Sequence, residues 1–534
     1  PGDVALVVAE GGAGKTTLLE LIRAEVATKH SNSTLSVLIT CAEYQPGALD
    51  TAIHAQLGIQ SGSWRMLPDK IQILCDGINE ASTEVVKALF GELKPLLRSK
   101  HISCIFTSRE DSRMVRTVLP SIPCASLRLV PLTPSRVRAI AQHELIKEAE
   151  VIAFVDAHRV MAASATASFM WTPFAVRIAL KLWKASHQLG DTLGDLLDAV
   201  VSARTDRDLE ISTQDSLSDL PRVSVLAIAS AMAFEMLLVD GSAACSACEI
   251  GSTYKRAMRL CSNVYGADGL NSSKLITLLR KHDLVQQTPD ESFQWNHQLV
   301  AGALAAKHLS SQWREHLHTL QQPLSDDAWV FATRYIPESD LDEYLGELFY
   351  ADLMLGARAT AELQLNERDR SLQYIFKALE VGQPEDLGVT GFFALAKVGT
   401  EKALSFLQQT AKNRKSDIGF VAARALAYSG DRPFLLKLLE EVDERRRIGW
   451  NTSGGDISIW ETASLADRIA IARERLISVA PGEPVNESLN LVSYETSRED
   501  IPLFENHLHA SKDITAWSTA LGAISNCDHN RAQT

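Results

Sequence analysis

A glycine-rich loop directly after an apolar run is the feature that most constrains what this chain can fold into. Residues 4–9 are apolar, and residues 9–17 read AEGGAGKTT. This segment fits the pattern G-x-x-x-x-G-K-[ST], with Ala9 at the first glycine position. Glycines let backbone N–H groups point around a phosphate, and the N-terminus of a following helix adds a favourable dipole. The segment predicts a strand, a phosphate-binding loop and a helix that runs from Lys15 to about Lys29.

The residues of this loop have distinct predicted roles. The Lys15 side chain is expected to reach the β- and γ-phosphates of a nucleotide, and the Thr16 hydroxyl is expected to bind Mg²⁺. The backbone of the preceding residues is expected to surround the phosphates. The predicted nucleotide-binding residues here are Gly11, Gly12, Ala13, Gly14, Lys15, Thr16 and Thr17.

Two later apolar runs end in charged side chains that suit a phosphate site. Ile71–Asp76 ends in a carboxylate, so Asp76 is a predicted Mg²⁺ ligand, bound directly or through water. Glu80 is predicted to polarise an attacking water, although a carboxylate in a first helical turn is also favourable without any catalytic role. Arg109 follows Ile102–Ser108 and is predicted to sense a γ-phosphate, because ligands bind at the carboxyl edge of parallel sheets.

The spacing of the apolar runs predicts an α/β P-loop NTPase fold with a parallel sheet. Short apolar runs without alternation suit strands that are covered on both faces, and helical segments between them give parallel connections. Beyond residue 133 the pattern is helical, and the segment 275–295 reads as a helix and a small hairpin, as in a winged helix. The predicted strands are Val4–Ala9, Leu35–Thr40, Ile71–Asp76, Ile102–Ser108 and Leu127–Val130.

Weak internal repetition predicts an α-solenoid, of the HEAT-like kind, in the last part of the chain. Residues 394–399 read ALAKVG and residues 425–430 read ALAYSG, an offset of 31 residues, and an amphipathic segment follows each copy. Ala520-Leu521-Gly522 is expected to open a further unit. The predicted domains are 1–132 (nucleotide-binding), 133–210 (helical), 211–320 (winged helix) and 321–534 (helical linker and repeats). We expect the sequence to be a fragment at both ends.

The net charge, the cysteines and the apolar stretches limit the classes of function that this chain can have. A net charge of -13 argues against bulk nucleic-acid binding through a basic surface. Eight sparse cysteines suit free thiols in a reducing compartment, so a cytoplasmic location is expected, and the C-x-x-C at Cys245 and Cys248 lacks the second ligand pair of a zinc site. The apolar stretch Val223–Val239 contains Ser224, Ser230 and Glu235. It is predicted to be a buried helix and not a membrane span.

Taken together, these motifs resemble those of the NACHT-type branch of the STAND NTPases, a family of signalling switches. The likeness lies in the GGAGKTT loop, the D-G-I-N-E segment that starts at Asp76 and the T-S-R segment that ends at Arg109. Asn79 stands where the family has a second aspartate, which bears on the rate of hydrolysis. The likeness covers roughly residues 1–320 and is strongest at the loop.

The resemblance also implies functional residues downstream. Trp171-Thr172-Pro173-Phe174 is similar to the family's proline motif, which implies that Pro173 packs against the adenine and ribose. Trp295-Asn296-His297 is similar to the end of the family's winged helix, which implies that His297 contacts the β-phosphate of ADP. The family's next glutamate and aromatic residue are absent, since Gly302 and Ala303 occur here.

The function that the resemblance implies is an ATP/ADP-gated switch with Mg²⁺ and slow hydrolysis. A protein ligand on the repeats would trigger it, and it would form a homo-oligomer that activates an N-terminal effector, as in immunity or antiviral defence. Membrane and nucleic-acid partners are not expected. The alternatives are an AAA-like mechanical ATPase, which fast untriggered hydrolysis would favour, and a winged-helix transcription regulator, which salt-dependent DNA binding would favour.

Overall fold

The chain is described by a computed structural model. The structure describes the residues 4–9, 11–29, 34–41, 44–58, 63–81, 83–109, 125–129, 131–145, 147–164, 170–189, 193–206, 222–242, 244–245, 249–261, 272–281, 284–287, 293–295, 297–381, 385–447, 455–463, 465–479 and 485–493. The contacts divide the chain into two compact units. The first comprises Pro1–Val130 and Met161–Ala351, and the second comprises Pro131–Val160 and Asp352–Thr534. The four predicted domain ranges remain a prediction.

A five-stranded parallel sheet organises the start of the chain. Its strand order is β2-β3-β4-β1-β5, and every neighbouring pair is parallel. The strands are β1 (Val4–Val8), β2 (Thr34–Thr40), β3 (Lys70–Asp76), β4 (Ile102–Ser108) and β5 (Ala125–Arg128). This confirms the predicted α/β fold. Because β4 lies between β1 and β3, the strand ends that carry Asp76 and Arg109 meet beside the glycine-rich loop.

Helices connect these strands and bury an apolar core. They are α1 (Lys15–Lys29), α2 (Leu49–Leu57) and α3 (Thr83–Leu96). The core contains Leu89 and Phe90 of α3, and the Phe90 ring lies 4.9 Å from that of Phe106 in β4. Burial of a leucine or phenylalanine side chain contributes about 1.5–3 kcal/mol to the free energy of unfolding.

Helices dominate the chain after the sheet. The next ones are α4 (Pro134–Glu144), α5 (Glu148–Ser164), α6 (Pro173–Ser186), α7 (Leu193–Asp206) and α8 (Arg222–Phe234). A π-helical turn, Glu235–Val239, extends α8. Residues 228–238 of this stretch are buried, as expected for the apolar run. Among the described residues, no helix combines the length and apolarity needed to cross a bilayer.

The winged-helix segment has the predicted shape. Helices α9 (Ile250–Leu260) and α10 (Ser272–Lys281) precede the antiparallel strands β7 (Val285–Gln287) and β8 (Phe293–Trp295), whose bounds match the predicted hairpin. The short strand β6 (Ala244–Cys245) adds to β8 and gives the order β6-β8-β7. Four helices follow: α11 (Gln298–Gln312), α12 (Asp326–Ala332), α13 (Glu338–Ala351) and α14 (Leu353–Ala361).

Two histidines pack around Phe234 in the first unit. The rings of His308 and His316 lie 6.1 and 4.9 Å from the Phe234 ring. Burial lowers the pKa of both imidazoles, and His318 lowers the pKa of His316 further, against an opposing effect of Glu315. A histidine pKa below its value in the unfolded chain means that the unfolded state binds more protons as the pH falls.

We therefore expect the free energy of unfolding to be unaffected by these groups above a pH of about 6.5 and to decrease as the pH falls below it. Denaturant titrations between neutral and mildly acidic pH measure this slope. The variant His316→Gln should reduce the slope, because it removes one of the two groups. An equal slope in His316→Gln and the unaltered protein would contradict the assignment.

The helices of the last part of the chain repeat at the predicted interval. Gly399 and Gly430 each follow the end of a helix. Their φ values are positive, 66° and 75°, a conformation that glycine adopts without strain. The next helices begin at Glu401 and Arg432. The helices of this part are α15 (Leu372–Val381), α16 (Glu385–Val398), α17 (Glu401–Thr410), α18 (Asp417–Tyr428), α19 (Arg432–Arg447), α20 (Gly455–Trp460), α21 (Leu465–Ser478) and α22 (Asn486–Ser493). The unit predicted at 520–522 lies outside the described residues.

Candidate nucleotide-binding site

The glycine-rich loop joins β1 to α1 in the conformation that a phosphate loop needs. Gly12 and Gly14 have φ values of 76° and 91°. A Cβ built on Gly14 would meet no other atom within 4 Å, so this glycine is required by its backbone conformation and open space adjoins it. Helix α1 begins directly after the loop, where its N-terminal N–H groups favour an anion.

The predicted loop side chains lie at the start of α1. Lys15 Nζ donates a hydrogen bond to the Ala9 carbonyl at 2.9 Å, so the ammonium group lies over the loop. Thr16 and Thr17 are exposed at the same helix end. The loop can thus offer backbone N–H groups, one ammonium group and a hydroxyl to a phosphate.

The predicted metal ligands form a hydrogen-bonded pair. Thr16 Oγ1 donates to Asp76 Oδ2 at 2.6 Å, and Thr107 Oγ1 donates to Asp76 Oδ1 at 2.6 Å. Thr107 Oγ1 also accepts a hydrogen bond from Gly77 N at 2.8 Å, which fixes its orientation. A hydroxyl and a carboxylate are hard oxygen ligands, and Mg²⁺ usually adds phosphate oxygens and water to one or two such groups. The donor set therefore fits Mg²⁺ bound with a nucleotide.

Arg109 is held at its backbone and at its guanidinium group. Its backbone N–H donates to Asn79 Oδ1 at 3.0 Å, and Asn79 is buried. Its Nη1 donates to both carboxylate oxygens of Asp327 at 2.9 and 2.8 Å, and its Nη2 donates to Gln298 Oε1 at 3.0 Å. An aspartate at position 79 would offer the same acceptor, so asparagine keeps this contact and removes one negative charge from the site.

The predicted adenine-binding segment contacts the phosphate loop directly. Pro173 begins α6, and the next residue, Phe174, donates its backbone N–H to the Gly12 carbonyl at 3.3 Å. A Cβ on Gly12 would lie 2.6 Å from Phe174 Cβ, so only glycine allows this approach. The Phe174 ring stacks on His297 at 3.7 Å between ring centroids, with an interplanar angle of 18°.

His297 precedes α11 and caps its N-terminus. Its Nδ1 accepts a hydrogen bond from Leu299 N at 3.2 Å, so the neutral ring carries its proton on Nε2 and can donate it to an anion. Leu299 Cδ1 would lie 3.4 Å from a Cβ on Gly11. Segments far apart in the sequence thus meet at one loop.

Three residues that contact the loop or Arg109 were not predicted from the sequence, and the side chain of one predicted residue is not described. Glu80 ends the 3₁₀ turn Ile78–Glu80, but its side chain lies outside the described part of the structure, so its role stays a prediction. The sequence did not single out Phe174, Gln298 or Asp327. Of these, Phe174 had a usable signal, because it directly follows the predicted Pro173.

Comparisons with known proteins give a limited likeness. No protein family and no curated protein match the sequence. Among solved structures, Cdc6p from Pyrobaculum aerophilum is 13% identical over 58% of this chain and 90% of its own, with a TM-score of 0.27. ORC1 of Aeropyrum pernix in complex with DNA is 17% identical over 59% and 88%, with a TM-score of 0.29. The Thermotoga maritima RuvB Holliday junction branch migration motor is 13% identical over 55% and 85%, with a TM-score of 0.25.

At these TM-scores the likeness supports no conclusion about ligands or partners. The fold class follows from the chain itself. A parallel sheet of order β2-β3-β4-β1-β5, a glycine-rich loop between β1 and α1, and polar side chains at the ends of β3 and β4 constitute a P-loop NTPase fold.

Proposed function

We propose that this chain is the ATP/ADP-binding switch of a signalling NTPase of the NACHT-type STAND kind. The observation that carries the proposal is the convergence of distant segments on the phosphate loop. Phe174 packs on Gly12, Leu299 approaches Gly11, and the arginine beside the loop is paired with Asp327. A nucleotide at this loop would therefore be coupled to the packing of the helices that contact it.

Different residues around the loop would bind the phosphates, the metal ion and the attacking water. Lys15 and the loop N–H groups would bind the phosphates, Thr16 and Asp76 would hold Mg²⁺, and Glu80 would orient a water for slow hydrolysis. Mg²⁺ would neutralise phosphate charge when bound. His297 would donate from Nε2 to the β-phosphate of ADP in the closed form.

The second unit would serve as the sensor. Helical repeats form extended surfaces that suit protein ligands, and HEAT-like repeats are the proposed kind here. A protein that binds these repeats would open the switch only if it prefers the open form by several kcal/mol, about 5.5 kcal/mol for a full reversal of populations. The open, ATP-bound form would oligomerise and activate an N-terminal effector, with immunity or antiviral defence as the setting, by analogy.

A mechanical AAA-like ATPase is the second candidate. The arrangement of Thr16 at the start of α1 with Asp76 and Arg109 at neighbouring strand ends would serve steady turnover as well as gating. The two functions differ in what the resting protein holds: a switch retains ADP, whereas a motor releases it in every cycle.

Identification of the nucleotide retained by the purified protein separates these candidates. After denaturation and chromatography of the supernatant, we expect close to one ADP per chain, together with slow steady-state hydrolysis of ATP. Protein purified with Lys15→Ala provides the control and should hold none. An empty site with rapid turnover would favour the motor, and neither retained nucleotide nor turnover would contradict both.

A further inference from the structure

The guanidinium of Arg109 is engaged by a carboxylate that no motif indicates. Asp327, at the start of α12, receives both hydrogen bonds of Arg109 Nη1, and Gln298 receives one from Nη2. The Asp327 side chain is 1% exposed and that of Arg109 is 12% exposed. In such surroundings a charge-assisted pair is held more strongly than at a surface.

The position of Asp327 depends on a close approach of two helices. A Cβ built on Gly302 of α11 would lie 2.7 Å from Asp327 Cβ and 3.2 Å from Ala328 N. Glycine at 302 therefore allows α12 to pack against α11 with the Asp327 carboxylate directed at Arg109. This gives a structural reason for glycine where the resembled family has a larger residue.

The same guanidinium lies beside the phosphate loop. A Cβ on Gly11 would be 3.6 Å from Arg109 Cζ, and the arginine backbone is fixed by Asn79. The guanidinium therefore adjoins both the loop and the Asp327 carboxylate. A terminal phosphate bound at the loop would be a second anion close to this one cation.

We propose that Asp327 is a positioning residue that sets the selectivity of this site between nucleoside triphosphate and diphosphate, by competing with the γ-phosphate for Arg109. ADP leaves the Arg109–Asp327 pair intact, whereas ATP gains Arg109 only by displacing Asp327. A ligand shifts such an equilibrium only by its difference in affinity for the two arrangements. The inference rests on the proposed function, since it requires a nucleotide at the phosphate loop.

The variant Asp327→Asn tests the competition. It keeps an acceptor of the same size and removes the competing charge. The dissociation constant of a non-hydrolysable ATP analogue should therefore fall by about tenfold, which is about the difference in strength between a hydrogen bond to a charged group and one to a neutral group. The dissociation constant of ADP should stay within about twofold. Asp326→Asn is the matched control, with the same charge change one residue earlier in α12. It should leave the ratio of the two constants unchanged.

A second variant should change the affinity ratio of the ATP analogue to ADP in the opposite direction, and it leaves the Arg109–Asp327 pair in place. Gln298→Glu replaces a neutral acceptor of Arg109 with a carboxylate, so the affinity ratio of the ATP analogue to ADP should fall by about tenfold. This variant keeps the inference testable if Asp327→Asn fails to fold. An unchanged ratio in the folded variants would overturn the inference.

Removal of Arg109 separates this mechanism from a general effect of packing. In an Arg109→Gln background, Asp327→Asn should no longer change the ratio, because the shared cation is absent. A shift that persists without Arg109 would overturn the inference and leave the proposed function intact. Failure of the unaltered protein to bind either nucleotide would overturn both.

Discussion

Replacement of Lys15 by alanine should weaken the binding of both ATP and ADP by at least about 100-fold, because the ammonium group would supply charge-assisted hydrogen bonds to phosphate and alanine supplies none. Lys15 lies at the first position of α1, with its Nζ over the loop at 2.9 Å from the Ala9 carbonyl. This bond is partly buried, and its loss should lower the free energy of unfolding by about 1 kcal/mol.

Isothermal titration with each nucleotide measures this effect, and denaturant unfolding shows that the variant remains folded. Lys94→Ala, which removes an exposed lysine from α3, is the control for the loss of one positive charge and should bind as the unaltered protein does. If Lys15→Ala bound ATP with unaltered affinity, the phosphate loop would not be the nucleotide site.

Replacement of Asp443 by alanine should cost the second unit about 3–5 kcal/mol of stability, the range for breaking a buried ion pair from one side. Asp443 is fully buried in α19 and accepts from Arg475 Nε at 3.0 Å and Ser488 Oγ at 2.7 Å. Its Oδ1 accepts from the backbone N–H of Glu487 at 2.6 Å, at the start of α22. Alanine would leave that N–H group and a buried guanidinium without this acceptor.

Denaturant unfolding followed by circular dichroism measures the loss. Burial raises the pKa of the Asp443 carboxyl even though Arg475 opposes the shift, so the desolvation of this group outweighs the attraction of its partner. A double replacement, Asp443→Leu with Arg475→Met, should therefore be less destabilising than Asp443→Ala.

An exposed pair on the same helix provides the control. Arg432→Ala breaks the pair of Arg432 with Glu474, in which Arg432 is 68% exposed, and should cost about 0–1 kcal/mol. A cost for Asp443→Ala no larger than that for Arg432→Ala would contradict the importance of the buried network.

The strands and the loop were predictable because their signals are local. A buried parallel strand needs a continuous apolar run, and β4 occupies the predicted range, Ile102–Ser108, while β2 and β3 begin one residue earlier than predicted. The fifth strand, predicted at Leu127–Val130, lies two residues earlier, at Ala125–Arg128. The glycine-rich loop was predictable because a phosphate loop needs positive φ values at fixed positions, and Gly12 and Gly14 have them.

The partners of the loop were not predictable from local pattern. Asp327 lies 218 residues after Arg109, and one aspartate in the first turn of a short helix is equally explained by the helix dipole. Gly302 was interpreted only as a departure from the resembled family. Its role becomes visible when α11 and α12 are packed together, because a side chain there would collide with Asp327.

The distance in sequence between Arg109 and its carboxylate partner has a consequence for the newly made protein. Ribosomes add about 5–20 residues per second, and domains generally fold as they emerge. At that rate the 218 residues between Arg109 and Asp327 take about 10–40 s to be made. In the proposed mechanism, a phosphate loop that folds during this interval would meet the nucleotides of the cell without Asp327 to compete for Arg109. The first nucleotide bound would then be set by cellular abundance, and the discrimination would begin only after α12 had been translated.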